Sequence, residues 1–193
     1  MKSVCVFCGS SPGGDPRYAE AARELGHYLA ERDIQLVYGG GRVGLMGILA
    51  DAVLTGGGRA LGVIPRSLWD REIGHTGLTD LRIVETMHER KALMAANADA
   101  FIALPGGIGT LEEFFEVWTW GLLGLHEKPY GLYDVAGYYR PLASVIDHMI
   151  DQGFLQERFR EMVVVADSLE PLFSGLAAFT PPEVQKWVDL RQT

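Results

Sequence analysis

Cysteine is scarce in this sequence, with Cys5 and Cys8 the only two. They form a C-x-x-C, but redox pairs of that spacing sit where a helix begins. These two lie within a predicted strand, where a separation of three sends the side chains to opposite faces. A zinc site would need two further ligands, and no paired cysteine or closely spaced histidine supplies them. Both therefore read as core thiols, and no metal site is expected. Long apolar runs are missing too. None approaches the roughly 18 residues of a membrane span, and Met1-Lys2-Ser3 leads into a short strand instead of a signal peptide. The expectation is a cytoplasmic protein with no membrane partner. No G-K-[ST] occurs, which sets aside a P-loop nucleoside triphosphatase. Positive charge is in deficit: the formal net charge of −8 argues against a nucleic-acid polymer, so any phosphate ligand must be held by a local site. What is present is a globular composition, 48% hydrophobic and 22% charged, which excludes disorder. The 193 residues read as one domain, 1–193, long enough to close a core without metals or disulfides.

Short apolar runs alternate with helical periodicity along the whole chain. Strands are expected at 3–8, 34–38, 60–64, 81–84, 100–104, 130–133 and 162–165. Helices are expected from Asp15-Pro16 to about Glu31, from Leu45 to Leu54, from Met87 to Asn97, and from Thr110 through Leu123. Others follow from Tyr139 to Asp151, with Leu142, Val145, Ile146 and Met149 on one face, from Ser168, and after Pro181-Pro182. Residues 65–80 read as a long polar loop. Nearly all the strands lack polar alternation, which specifies a parallel sheet covered on both sides. The fold expected is α/β, a Rossmann-like doubly wound parallel sheet with helices on both faces. Ligands in such sheets bind beyond the carboxyl ends of the strands, at a topological switch point.

The chemistry is concentrated in loops that leave that edge. Leu104-Pro105-Gly106-Gly107-Ile108-Gly109-Thr110-Leu111-Glu112-Glu113 is a glycine loop between a buried strand and a helix, an arrangement that binds phosphate through backbone N–H groups and the helix dipole. Gly39-Gly40-Gly41-Arg42-Val43-Gly44 matches G-x-G-x-x-G. The acid expected about 20 residues on is missing, however, since the next strand ends in Pro65-Arg66. A nicotinamide dinucleotide is thus disfavoured, and Gly41 and Gly44 read as part of a second nucleotide-facing loop, with Ser10 at the end of the first strand beside them. Arg90 and Glu113 each occupy the opening of a helix at the same edge and pair a guanidinium with a carboxylate. Glu113 has an alternative, purely structural reading as the N3 acid of a capping box begun by Thr110. The Leu111–Leu123 helix is apolar over most of its circumference, which points to burial from two directions and a homodimer interface.

Pro105-Gly106-Gly107-Ile108-Gly109-Thr110-Leu111-Glu112-Glu113 matches the P-G-G-x-G-T-x-x-E signature of the Lonely Guy family, the cytokinin riboside 5′-monophosphate phosphoribohydrolases. Met87-His88-Glu89-Arg90-Lys91 and Gly39–Gly47 resemble two further family motifs, and Asp70-Arg71-Glu72-Ile73 resembles a substrate-contacting loop. The resemblance runs from Cys5 to about Phe154. It implies release of free base and ribose 5-phosphate from an N6-substituted AMP or from AMP itself, with Arg90 and Glu113 as the catalytic pair. It also implies that Glu72, Arg90, Lys91, Gly106, Gly107, Ile108, Gly109 and Thr110 hold the nucleotide, in a homodimer that uses neither metal nor cofactor. One departure lies at residues 73–78, where many relatives are more acidic, which leaves the preference for the base substituent open. A nucleotide or molybdopterin-cofactor carrier on the same fold is the alternative without hydrolase activity. The lysine decarboxylase label carried by this superfamily would require a pyridoxal phosphate Schiff base. Of Lys2, Lys91, Lys128 and Lys186, only Lys91 is expected near the cleft.

Overall fold

Each strand is a short apolar run followed by a helical segment, so the chain returns to the sheet only by crossing over one of its faces. The computed structural model describes residues 1–71 and 74–182. Its strands are β1 (Ser3–Phe7), β2 (Gln35–Tyr38), β3 (Ala60–Pro65), β4 (Asp80–Val84), β5 (Ala100–Ala103), β6 (Tyr130–Tyr133) and β7 (Val163–Ala166). All pair in parallel, in the order β4-β3-β2-β1-β5-β6-β7. The first four step outward from β1 in one direction and the last three in the other. The reversal lies between β1 and β5, and it opens a crevice beyond their carboxyl ends. This is the doubly wound α/β sheet read from the sequence.

Helices α1 (Pro16–Glu31), α2 (Gly44–Thr55) and α8 (Leu169–Ala178) cover one face, while α4 (Met87–Ala96), α5 (Ile108–Leu122) and α6 (Arg140–Asp151) cover the other. Two single turns, α3 (Arg66–Trp69) and α7 (Glu157–Arg160), complete the α-helices of the described residues, and a 3₁₀ turn, Val135–Gly137, follows β6. The pleat of β1 divides its side chains between the two cores. Val4, Val6 and Cys8 go to the α1/α2 side and Cys5 and Phe7 to the α4/α5 side, so the two thiols are buried, free and on opposite faces.

Some expectations need correction. The stretch 65–80 is not irregular throughout, since its start winds into α3. On α6 only Ile146 is buried: Val145 is 50% exposed and Met149 37%. Leu142 and Ile146 lie one turn apart and take the sheet-facing stripe, while Val145 is rotated by roughly 100° from Ile146 and Met149 by roughly 60°. The helical piece expected after Pro181-Pro182 lies outside the described residues. No helix among the described residues is long and apolar enough to cross a membrane.

Candidate active site

Helix α4 opens directly after β4 on a capping box. The Thr86 side chain accepts from the Glu89 N–H at 3.1 Å, and the Glu89 carboxylate accepts from the Thr86 N–H at 3.3 Å. That start places Arg90 on the inner face of the second turn, above the carboxyl ends of β2 and β3. Its Nε donates to the Val63 carbonyl at 3.1 Å and its Nη2 to the Gly39 carbonyl at 3.4 Å. The remaining arm, Nη1, meets Glu113 Oε1 at 3.0 Å, with both side chains about nine-tenths buried. Gly39 is the residue that makes room, because a Cβ there would fall inside the guanidinium. Burial pushes the Glu113 carboxyl above its ordinary pKa, against the pull of Arg90, and Glu112 and Glu116 push the same way. Glu113 is therefore an oriented carboxylate that holds a proton more readily than an exposed one.

Helix α5 starts two residues earlier than the sequence suggested, and Gly107 is its N-cap. Thr110 is therefore the third residue of the helix, Glu113 lies in its second turn, and the capping box proposed for this pair does not form. The first intrahelical bond runs from Leu111 N–H to Gly107 O at 3.2 Å. The N–H groups of Ile108, Gly109 and Thr110 precede it and have no acceptor within the helix. A Cβ on Gly107 or Gly109 would meet nothing within 4 Å, so packing does not demand glycine at either position. What the glycines leave is free approach to those N–H groups.

These features line one cleft of about 710 Å³ at the switch-point edge. Arg90, Glu112, Glu113, Ser10, Thr110 and Cys8 supply polar groups, and Val43, Met46, Leu68, Met87 and Ile108 form an apolar wall. The loops around it are fastened to each other. Gly9 N–H donates to Pro105 O at 3.1 Å, and Leu45 N–H donates to Gly9 O at 3.0 Å. A Cβ on Gly44 would collide with the backbone of Ser10 and Ser11.

The structure brings Ser10, Arg90, Gly107, Ile108, Gly109, Thr110 and Glu113 together, and places Gly106 on an adjoining niche of about 290 Å³. It does not bring Lys91 into the cleft. Next to Arg90 on the helix, Lys91 points about 100° away, and its Nζ donates to Glu112 at 2.6 Å and to Glu116 at 2.9 Å in the seam between α4 and α5. Gly41 and Gly44 do not line the cleft either. Gly41 is buried in a bridge to Gly74, and Gly44 lets two loops touch. Glu72 lies outside the described residues. Sequence reasoning missed Gly39 as the residue that seats Arg90, although it begins the glycine run. It also missed the apolar wall, whose members come from four separate segments.

Residues 46–176 match a family model described as "Possible lysine decarboxylase". Over 181 residues the chain is 52% identical to a cytokinin riboside 5′-monophosphate phosphoribohydrolase of Arabidopsis thaliana, covering 94% of this chain and 83% of that relative. The chain belongs to the Lonely Guy family. A second relative of the same name, from Oryza sativa subsp. japonica, is 49% identical over 94% of this chain and 75% of its own length. Among solved structures, the molybdenum cofactor carrier protein of Chlamydomonas reinhardtii has a TM-score of 0.68 over 92% of this chain and 96% of its own. At 16% identity that likeness shows the fold alone. The decarboxylase wording does not suit Lys91 of this Lonely Guy protein, the lysine expected near the cleft. Burial pulls the Lys91 pKa down, but hydrogen bonds to Glu112 and Glu116 outweigh it and leave the proton held more tightly than usual, the reverse of a Schiff-base lysine. Lys128 is engaged with the Ala95 carbonyl at 2.7 Å.

Proposed function

We propose that this protein hydrolyses the N-glycosidic bond of cytokinin riboside 5′-monophosphates, the reaction its relatives are named for. The observation that carries the reading is the buried Arg90–Glu113 pair, 3.0 Å apart, in the same cleft as the unpaired start of α5. The 5′-phosphate sits on the N–H groups of Ile108, Gly109 and Thr110, where the helix dipole favours an anion, with the hydroxyls of Ser10 and Thr110 beside it. From Ile108 to Glu113 the helix rises about 7.5 Å, the scale of a ribose phosphate, so one rigid element sets the distance from phosphate to carboxylate.

The bond between N9 and C1′ breaks with its electron pair going to the base, and positive charge develops on the ribose. Glu113 faces that charge and takes a proton from the water whose oxygen joins C1′, and that proton ends on the departing base, which returns the carboxylate to its starting state. Its raised pKa makes it a stronger base than an exposed carboxylate. Arg90, anchored by two backbone carbonyls, fixes the orientation of the carboxylate. The products are free base and ribose 5-phosphate. The apolar wall of Val43, Met46, Leu68, Met87 and Ile108 suits a base with an apolar N6 substituent. We place the enzyme in the cytoplasm as a homodimer, with the half-buried Phe115, Trp120 and Leu122 of α5 at the subunit interface. The test is a comparison of AMP with adenosine. Binding energy from the phosphate positions the reacting centre, so adenosine loses turnover as well as affinity, and equal rates on the two would overturn the reading.

A further inference from the structure

Three successive carbonyls at the entrance to the glycine loop are each held from outside it. Leu104 O accepts from the Tyr139 hydroxyl at 2.6 Å, Pro105 O from Gly9 N–H at 3.1 Å, and Gly106 O from the Tyr138 hydroxyl at 2.6 Å. The first two holds belong to the buried core, since Tyr139 and Gly9 are both buried. The third does not, because Tyr138 is partly exposed and reaches the loop from the turn after β6. That turn is costly to make. A single 3₁₀ turn, Val135–Gly137, holds Ala136 at φ 57°, a left-handed conformation that a residue with a Cβ rarely adopts, followed by Gly137 at φ 76°. Buried Asp134 closes it by accepting from the Tyr139 N–H at 2.6 Å. The Tyr138 ring is then clamped edge-on between Tyr18, at 5.6 Å, and Tyr139, at 5.1 Å. A strained turn and two aromatic contacts thus aim one hydroxyl at one carbonyl.

We propose that Tyr138 is a positioning residue for the 5′-phosphate: its hydroxyl locks the Gly106–Gly107 peptide and so presets the N–H groups at the start of α5. Two consecutive glycines have no side chain to restrict rotation of the unit between them. In a trans peptide the N–H points opposite to the C=O, so fixing Gly106 O on Tyr138 turns the Gly107 N–H to the other side. Gly107 is the N-cap, and its extended backbone (φ −84°, ψ −158°) directs the N–H groups of Ile108, Gly109 and Thr110. With the hydroxyl in place this arrangement exists before the ligand arrives, and without it the ligand must impose the order at a cost in affinity. Tyr138 acts through the backbone and needs no contact with substrate. The proposal rests on the phosphoribohydrolase reading of the cleft.

The test is Tyr138→Phe in the full chain, with Tyr18→Phe as its control. Binding of ribose 5-phosphate is measured by calorimetry, and kcat/KM for AMP and for adenosine at high enzyme concentration. The hydroxyl is worth one hydrogen bond, so Tyr138→Phe should weaken ribose 5-phosphate binding by about tenfold. KM for AMP should rise by a similar factor, with kcat/KM for adenosine and the melting temperature near wild type. Tyr18→Phe should leave the AMP-to-adenosine ratio unchanged. Equal losses on AMP and adenosine would make Tyr138 a purely structural residue and overturn the proposal, as would no loss on either. If wild-type protein fails to bind ribose 5-phosphate at all, the reading of the cleft falls and the proposal falls with it.

Discussion

Replacing Glu113 with glutamine separates what this residue does for the fold from what it does for the reaction. The amide keeps the shape and still accepts from Arg90 Nη1, now at 3.0 Å from the carboxylate, and Arg90 keeps its bonds to Val63 O and Gly39 O. Two changes in stability then oppose each other. The ion pair is lost, but so is the cost of burying an ionised carboxylate, which outweighs the pair in wild type because the Glu113 pKa is raised despite Arg90. The net change should stay within about 1 kcal/mol of wild type. Its pH dependence has a defined sign. An acid whose folded pKa is raised contributes stability that is full below its unfolded value, near 4.5, and is lost as the pH rises through the folded value. Wild-type protein therefore carries that loss at neutral pH, and Glu113→Gln should gain stability relative to it between pH 4.5 and 7. Turnover should move the other way. A neutral amide neither takes a proton nor faces positive charge, so kcat should fall by roughly 10²- to 10³-fold, about 2.7–4 kcal/mol in the barrier. Base release from AMP and N6-isopentenyl-AMP, beside melting curves at the two pH values, reads both effects. A Glu113→Gln protein with near-wild-type turnover would refute the catalytic assignment.

Gly39→Ala puts a Cβ inside the Arg90 guanidinium, so it should displace Arg90, cost about 1–3 kcal/mol of stability and cut kcat at least about tenfold, although Gly39 itself touches no substrate. An unchanged rate would show that the seat of Arg90 is irrelevant. Gly109→Ala meets no packing obstacle and removes a helical glycine. The melting temperature should hold or rise, by up to about 1 kcal/mol of stability, while KM for AMP rises several-fold and kcat/KM for adenosine does not. Sedimentation equilibrium at micromolar concentration should give twice the chain mass of 21.2 kDa, and Trp120→Glu should halve it. A wild-type monomer would remove α5 as an interface.

The fold was legible because each strand is a short apolar run bounded by glycine, proline or a capping residue, and parallel order follows from strict strand–helix alternation. Arg90 and Glu113 were legible as a pair because each follows a strand end on the same edge. Which neighbour faces the cleft was not legible. Arg90 and Lys91 are adjacent in sequence, and only the packing of α4 against α5 decides that one meets Glu113 and the other Glu112 and Glu116. The T-x-x-E spacing at Thr110 is that of a capping box, but the helix starts two residues sooner, at Ile108 with Gly107 as its N-cap, and the box that forms is at Thr86 and Glu89. Tyr138 and Tyr139 left no mark in the sequence, because their partners at Gly106 and Leu104 lie more than 30 residues away.

The most direct measurement of the central claim is product analysis after incubation with N6-isopentenyl-AMP. Cleavage between N9 and C1′ predicts N6-isopentenyladenine and ribose 5-phosphate in equal amounts, released roughly 10²- to 10³-fold more slowly by Glu113→Gln. Intact nucleotide, or release of the riboside with inorganic phosphate, would contradict it.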